Sequence, residues 1–224
     1  MKSLTHYIQE KLVIKKNNYN YSPKTKEELK AIIETRIKNE GNEVDLNDID
    51  VSKITDMSDL FTNLDFNGDI SNWDVSNVTN MYSMFYDCKN FNQDISTWDV
   101  SKVTDMSNMF SGCTKFNSDI FKWDVSNVEN TSFMFMDCES FNQDISSWDV
   151  SNVNDMSYMF YWCTSFNQDI SSWDVSKVNK MSYVFCGCKA FNQDISKWNV
   201  SNVTSYKDAF LHCQLKEKYK PKFK

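Results

Sequence analysis

The stretch Phe141-Asn142-Gln143-Asp144-Ile145-Ser146-Ser147-Trp148-Asp149-Val150-Ser151-Asn152-Val153, followed by Met156, Met159-Phe160 and Cys163, decides how the chain is built, because it returns along the sequence almost unchanged. Its Trp recurs at 73, 98, 123, 148, 173 and 198, an unvarying step of 25 residues. A fixed period of that size marks a tandem repeat. A degenerate earlier copy runs from Leu46 through Ile49, Val51, Ile54, Met57, Leu60 and Phe61 to Phe66; the last copy fades at Tyr206, Ala209 and Phe210 and stops after Cys213. Degenerate ends are expected of repeats that close an array.

Two periods can be read inside one copy. From Val103 the apolar set Val103, Met106, Met109, Phe110 and Cys113 falls at steps of three and four, which predicts a short helix. Ser101, returning at 76, 126, 151, 176 and 201, stands at its N-cap position. Between Ile95 and Val100 the alternation of Ser, Trp and Val predicts a brief strand. The expected fold is therefore an α/β repeat solenoid, a right-handed leucine-rich-repeat-like stack. Each coil would hold one short strand and one short helix, with a parallel sheet on one side and a helical cap at the N-terminus. Burying a large apolar side chain contributes about 1.5–3 kcal/mol, while ordering a residue costs about 1–2 kcal/mol of backbone entropy. A single copy cannot fold alone on those terms; like must stack on like.

The 224 residues are 41% apolar and 25% charged, with 16 Phe, 7 Trp, 10 Tyr and 11 Met against 4 Gly and 2 Pro, the composition of a folded chain. The formal charge of −7 divides into +2 over residues 1–45, −13 over 46–213 and +4 over 214–224. An acidic centre argues against nucleic acid as a ligand, since phosphate contacts need a positive surface. No apolar run is long enough to span a bilayer. The opening residues lack the unbroken apolar stretch of a signal peptide, so a cytoplasmic or virion-associated, reducing location is expected.

Four segments follow. Residues 1–14 form an amphipathic helix with Leu4, Ile8 and Leu12 at steps of four, a cap or a docking tag. Residues 15–45 supply a linker and a capping helix, announced by the capping box Thr25-Lys26-Glu27-Glu28 and the stripe Leu29, Ile32, Ile33, Ile37 ending near Gly41. Residues 46–213 hold about seven coils, and 214–224 a basic, solvated tail.

Chemistry has little foothold. Cys88, Cys113, Cys138, Cys163, Cys188 and Cys213 recur at steps of 25, which do not supply the close pairs of a zinc site. Coil flanks near 10 Å apart would also be too distant for disulfides. Buried apolar thiols are expected, with Cys186 off the frame and oxidisable. The Asp columns at 69, 94, 119, 144, 169 and 194 and at 74, 99, 124, 149 and 174 lack the Gly-bearing loops of calcium sites and are expected to accept turn amides. His6 and His212 stand outside any triad spacing, so no catalytic residue, metal or cofactor is expected. The departures from the frame are aromatic. Phe133, Tyr158 and Tyr183 share one column, Tyr86, Met136 and Tyr161 another, and Trp162 adds a third; Phe121 replaces a Ser on the strand side. Such a cluster predicts either a protein-binding surface at Phe133, Met136, Tyr158, Tyr161, Trp162 and Tyr183, or a seal between coils.

The phrases Phe-Asn-Gln-Asp-Ile-Ser-x-Trp-Asp-Val-Ser-x-Val and Met-x-x-Met-Phe-x-x-Cys-x-x-Phe resemble the BspA-like leucine-rich-repeat proteins. Within these they resemble the branch of unknown-function repeats common in mycoplasma surface lipoproteins and in some bacterial and viral genomes. The resemblance covers about residues 46–213 and implies a repeat fold and adhesion or protein binding without catalysis. The expected function is a non-catalytic protein-binding scaffold with a protein partner. The alternative is a structural component of a virion or cell envelope, attached through residues 1–14.

Overall fold

Residues 19–224 are described by the structure, a computed structural model. The helix expected over residues 1–14, with Leu4, Ile8 and Leu12, lies outside the described residues.

Helix α1 spans Lys26–Glu40. It starts where Thr25 Oγ1 accepts from the Glu28 amide at 3.3 Å, while Glu28 Oε2 reaches back to the Lys24 amide at 2.7 Å, closing a capping box one residue wider than usual. It ends at Gly41, whose φ of 94° no L-residue adopts easily. Leu29 and Ile33 are fully buried, with Ile32 and Ile37 packed at the margin of the same core that holds Leu46, Ile49 and Val51. On the polar side Lys26 Nζ lies 3.0 Å from Asp56 Oδ2, and Arg36 Nη1 donates to Asp48 Oδ1 at 2.9 Å.

The α/β coil with a strand and a helix does not form. Among the described residues no repeat contains an α-helix, and inter-repeat pairing is reduced to isolated parallel bridges, Asp56–Asn80, Asn80–Asp105, Asp105–Asn130, Asn130–Asp155, Asp155–Lys180 and Lys180–Ser205. No sheet runs through Ile95–Val100; the bridges sit where the helix was expected to begin. The reason is in the backbone. Most steps of three between apolar residues are closed by a turn: the amides of Trp98, Val103, Met109, Cys113 and Phe116 donate to the carbonyls of Ile95, Val100, Met106, Phe110 and Cys113, while that of Met106 leaves for Asn130 of the next repeat. A four-residue turn of this kind returns both of its ends to one side, as one helical turn does, so the same apolar spacing serves either. What forbids the helix is a left-handed residue at every fourth position, Ser83 and Asp87, then Asn108 and Gly112, then Phe133 and Asp137.

Between those turns the alternate amides are free to leave the repeat. Met81, Ser83, Phe85 and Asp87 donate to the carbonyls of Asp105, Ser107, Met109 and Ser111 at 2.7–3.0 Å, and the pattern repeats at all six junctions from Met57 to Gly187. The segments expected 10 Å apart are thus in direct hydrogen-bonded contact. Ser101 is not an N-cap either: its amide and hydroxyl donate to Asp99 Oδ1 at 3.1 and 2.6 Å, a local turn that its equivalents at 76, 126, 151, 176 and 201 share through the residue two before.

Like side chains then lie on like. Trp73 and Trp98 stack at 6.5 Å and 4°, Phe85 and Phe110 at 5.6 Å and 3°, and Phe91 and Phe116 at 6.1 Å and 9°. The indole N–H of each of the six Trp at the 25-residue step is satisfied by the repeat before, as Trp148 Nε1 by the Ile120 carbonyl at 3.1 Å. The basic tail is not a solvated end. It folds back on the last repeat, where Leu215 is buried and the Phe223 ring stacks on Tyr206 at 4.4 Å.

Candidate functional site

The left-handed positions carry residues suited to them in most repeats: Asp59, Asn63, Ser83, Asp87, Asn108, Gly112, Asp137, Gly187, Asp208 and His212. Asn, Asp and Gly enter this region at least cost, whereas a bulky side chain there is an outlier worth about 1–2 kcal/mol of strain. Four positions hold aromatics all the same: Phe133 at φ 60°, Tyr158 and Tyr183 at 59°, and Trp162 at 54°. All four belong to the set singled out by the sequence.

The structure brings that set together. Phe133 stacks on Tyr158 at 4.6 Å, Tyr158 on Tyr183 at 4.7 Å, and Tyr161 meets Tyr158, Tyr183 and Trp162 at 5.5, 6.3 and 6.4 Å. Met136 follows Phe133 on the same turn, its amide bonded to the Phe133 carbonyl. Each of the six is half-buried, the rings of Phe133, Tyr158 and Tyr183 covering one another face to face. Neighbour proximity arises from turns and not from the helix that was expected. Tyr86, in the outer column, stands apart from this group and is exposed, as is Phe121.

Two kinds of residue frame the strip and escaped the sequence reading. Lys189 Nζ lies 5.2 Å over the Trp162 ring, and Lys207 Nζ 5.9 Å over Tyr183. Gly187 leaves room for the Trp162 indole, since a Cβ there would fall 2.9 Å from the ring. The electrostatics are mild: burial, then the neighbouring Tyr183 and Tyr161, raise the Tyr158 hydroxyl above its ordinary value. A hydrogen bond with Tyr183 raises Lys207.

A family model described as "Mycoplasma protein of unknown function, DUF285" matches residues 30–140 and 119–222. The chain belongs to this family. A comparison with curated proteins found no match. The DUF285 match takes in α1 from Lys30 onward, every repeat and most of the tail.

The remaining columns of this DUF285 chain are accounted for by internal bonds. Asp94, Asp99, Asp149 and Asp174 are held below the usual carboxylate range by the hydroxyl and then the amide of the Ser two residues on. The framed thiols donate to a Phe carbonyl of the preceding repeat, as Cys138 Sγ to Phe110 O at 2.9 Å, and burial pushes Cys88 up to about 12 and the deeper Cys113, Cys138, Cys163 and Cys188 well up too. Cys186, expected to be accessible, is buried. Among the described residues no three His, Cys, Asp or Glu side chains converge as metal ligands, and no helix is long and apolar enough to cross a membrane.

Proposed function

We propose that the chain is a non-catalytic protein-recognition scaffold, and that the strip Phe133, Met136, Tyr158, Tyr161, Trp162 and Tyr183 is its contact surface. One observation carries the reading: four aromatics occupy left-handed backbone that sibling repeats fill with Asp, Asn, Ser or Gly and, in the last repeat, with His212. Fold stability alone selects the small or polar residue there, and strain of this kind gathers at functional sites. Aromatic anchors also dominate the binding energy of protein interfaces. Adhesion, the role that the resemblance to BspA-like proteins implies, agrees with a fixed frame presenting one irregular face. Absence of catalysis rests on repetition, because catalysis needs one asymmetric constellation and the frame offers many equal ones. Seven free thiols favour a reducing compartment.

The test uses Tyr158→Asn with Trp162→Gly, both matched to residues that sibling repeats carry at those positions. Relief of strain offsets lost ring contacts of about 0.5–1.5 kcal/mol each, so the thermal midpoint stays near that of the parent. A protein partner held by the parent and by a Phe121→Ser control is released by the double variant. Retention of the partner, or unfolding of the variant, refutes the reading.

A further inference from the structure

Over the Met-x-x-Met-Phe turns the backbone hydrogen bonds between repeats all run one way, although elsewhere, as from the Thr104 amide to the Thr79 carbonyl, the later repeat donates to the earlier. At every junction the earlier repeat supplies four N–H groups over its Met-x-x-Met-Phe turns and the later repeat supplies the carbonyls. The peptide groups are therefore parallel, and as in a helix their partial charges cancel inside the column and survive at its two ends. At the acceptor end α1 lays cations: Lys26 Nζ is 2.8 Å from Ser58 Oγ, and Lys30 Nζ donates to the Asp59 carbonyl at 3.0 Å.

At the donor end the tail lays Phe223 on the Tyr206 ring and Lys220 over Phe210 but accepts none of the amides. Met181, Tyr183, Phe185 and Gly187 donate to Ser205, Lys207, Ala209 and Leu211, whereas their equivalents one repeat on, Tyr206, Asp208, Phe210 and His212, have no acceptor for their amides among the described residues. The last repeat keeps the left-handed residues that aim them, Asp208 at φ 51° and His212 at 58°. The charge around this row is net positive, with exposed Asp208 in the row and Glu217, paired with Lys220, as the acidic members. Lys207 is exposed, and Lys218, Lys220 and Lys222 line a cleft of about 430 Å³ beside Phe210. Within the tail Glu217 alone opposes five lysines.

We infer that this end binds an acidic peptide segment in extended form, its carbonyls accepting from the four amides and its carboxylates lying over the lysines. An exposed row of backbone donors takes an added chain by hydrogen bonding, and the surrounding charge selects an acidic one. A second copy of this chain is the poorer occupant. Like ends would set N–H against N–H, and joining unlike ends would bring the basic tail against Lys26 and Lys30 of α1. This site stands on backbone polarity and does not depend on the aromatic strip.

The experiment takes the full chain and two labelled peptides, one alternating Asp and Val and one alternating Lys and Val. Fluorescence anisotropy is read together with amide hydrogen exchange. The Asp peptide binds in a salt-sensitive manner and slows exchange at Tyr206, Asp208, Phe210 and His212 by about tenfold or more, while the Lys peptide does neither. Lys218→Glu, Lys220→Glu and Lys222→Glu combined weaken binding about tenfold without moving the thermal midpoint. Equal binding of both peptides, binding that leaves those four amides unprotected, or association of the chain with itself at this end overturns the proposal. The exchange measurement on the unmodified chain stands even if the charge variant fails to fold.

Discussion

The indole of Trp162 rests on the bare Cα of Gly187, one repeat further along, so closely that a Cβ at Gly187 would lie 2.9 Å from Cγ and Cδ2 of the ring. Gly187 also sits at φ 78°. Gly187→Ala therefore costs about 2 kcal/mol, combining left-handed strain with a displaced indole. The same change in a Trp162→Gly background costs about half as much, because the ring that collides is gone. Thermal unfolding of the four members of this double-mutant cycle measures the coupling; additive effects would show that the two residues are independent.

A column of asparagines ties the repeats along the other side. Asn92 Oδ1 accepts the amide of Asn117, Asn117 that of Asn142, Asn142 that of Asn167 and Asn167 that of Asn192, at 2.8–3.0 Å. The last oxygen, Asn192 Oδ1, is buried without a partner among the described residues, the place one period on being taken by Glu217 of the tail. Asn142→Leu strands the Asn167 amide and costs about 1–2 kcal/mol, whereas Asn192→Leu removes only an unsatisfied atom and is neutral or mildly stabilising. Urea unfolding of the two variants checks the contrast; equal losses would show that the column carries no stability.

Acid and alkali act on different groups. The carboxyls of Asp94, Asp99, Asp149 and Asp174 are lower in the native state than in the unfolded chain, where Asp titrates near about 3.9. Their contribution is present above that value and is lost as pH falls through the lower native values. The buried thiols are raised, Cys88 to about 12, so their contribution is complete below the ordinary thiol value of about 8.5 and is lost as pH climbs from there towards the native values. Stability is thus widest between mildly acidic and neutral pH. The same burial protects the thiols chemically: a disulfide reagent at neutral pH reaches the half-buried Cys213 in the native chain and all seven Cys in urea. Rapid native labelling of Cys113 or Cys163 would contradict the packing.

Much of this was legible in the residues, and what was not has a physical reason. The 25-residue step of the tryptophans announced the repeat, and Thr25 with Gly41 bounded α1 at the expected places. Spacing alone points to a helix inside each repeat because Val103, Met106, Met109, Phe110 and Cys113 keep the same intervals whether a helix or a run of four-residue turns returns them to one side. The signal that separates the two lay in the columns of Asp, Asn, Ser and Gly at positions such as Asp59, Asn108 and Gly112, which suit left-handed backbone. Phe133, Tyr158 and Trp162 stood out because they break those columns, although their strain needed the backbone to be seen. In the tail, five lysines masked Leu215, Pro221 and Phe223, which pack on the last repeat.

The claim on which everything rests is that each repeat is held by the amides and rings of its neighbours and has no fold of its own. Thermal unfolding followed by tryptophan fluorescence, on a chain lacking residues 119–143 beside one lacking residues 119–130, tests it most directly. Removing a full period joins Ser118 to Asp144 in register, so the shortened chain should unfold in one cooperative transition, with the half-period deletion showing none. A cooperative half-period variant, an unfolded full-period variant, or an excised single repeat that folds by itself would contradict the account.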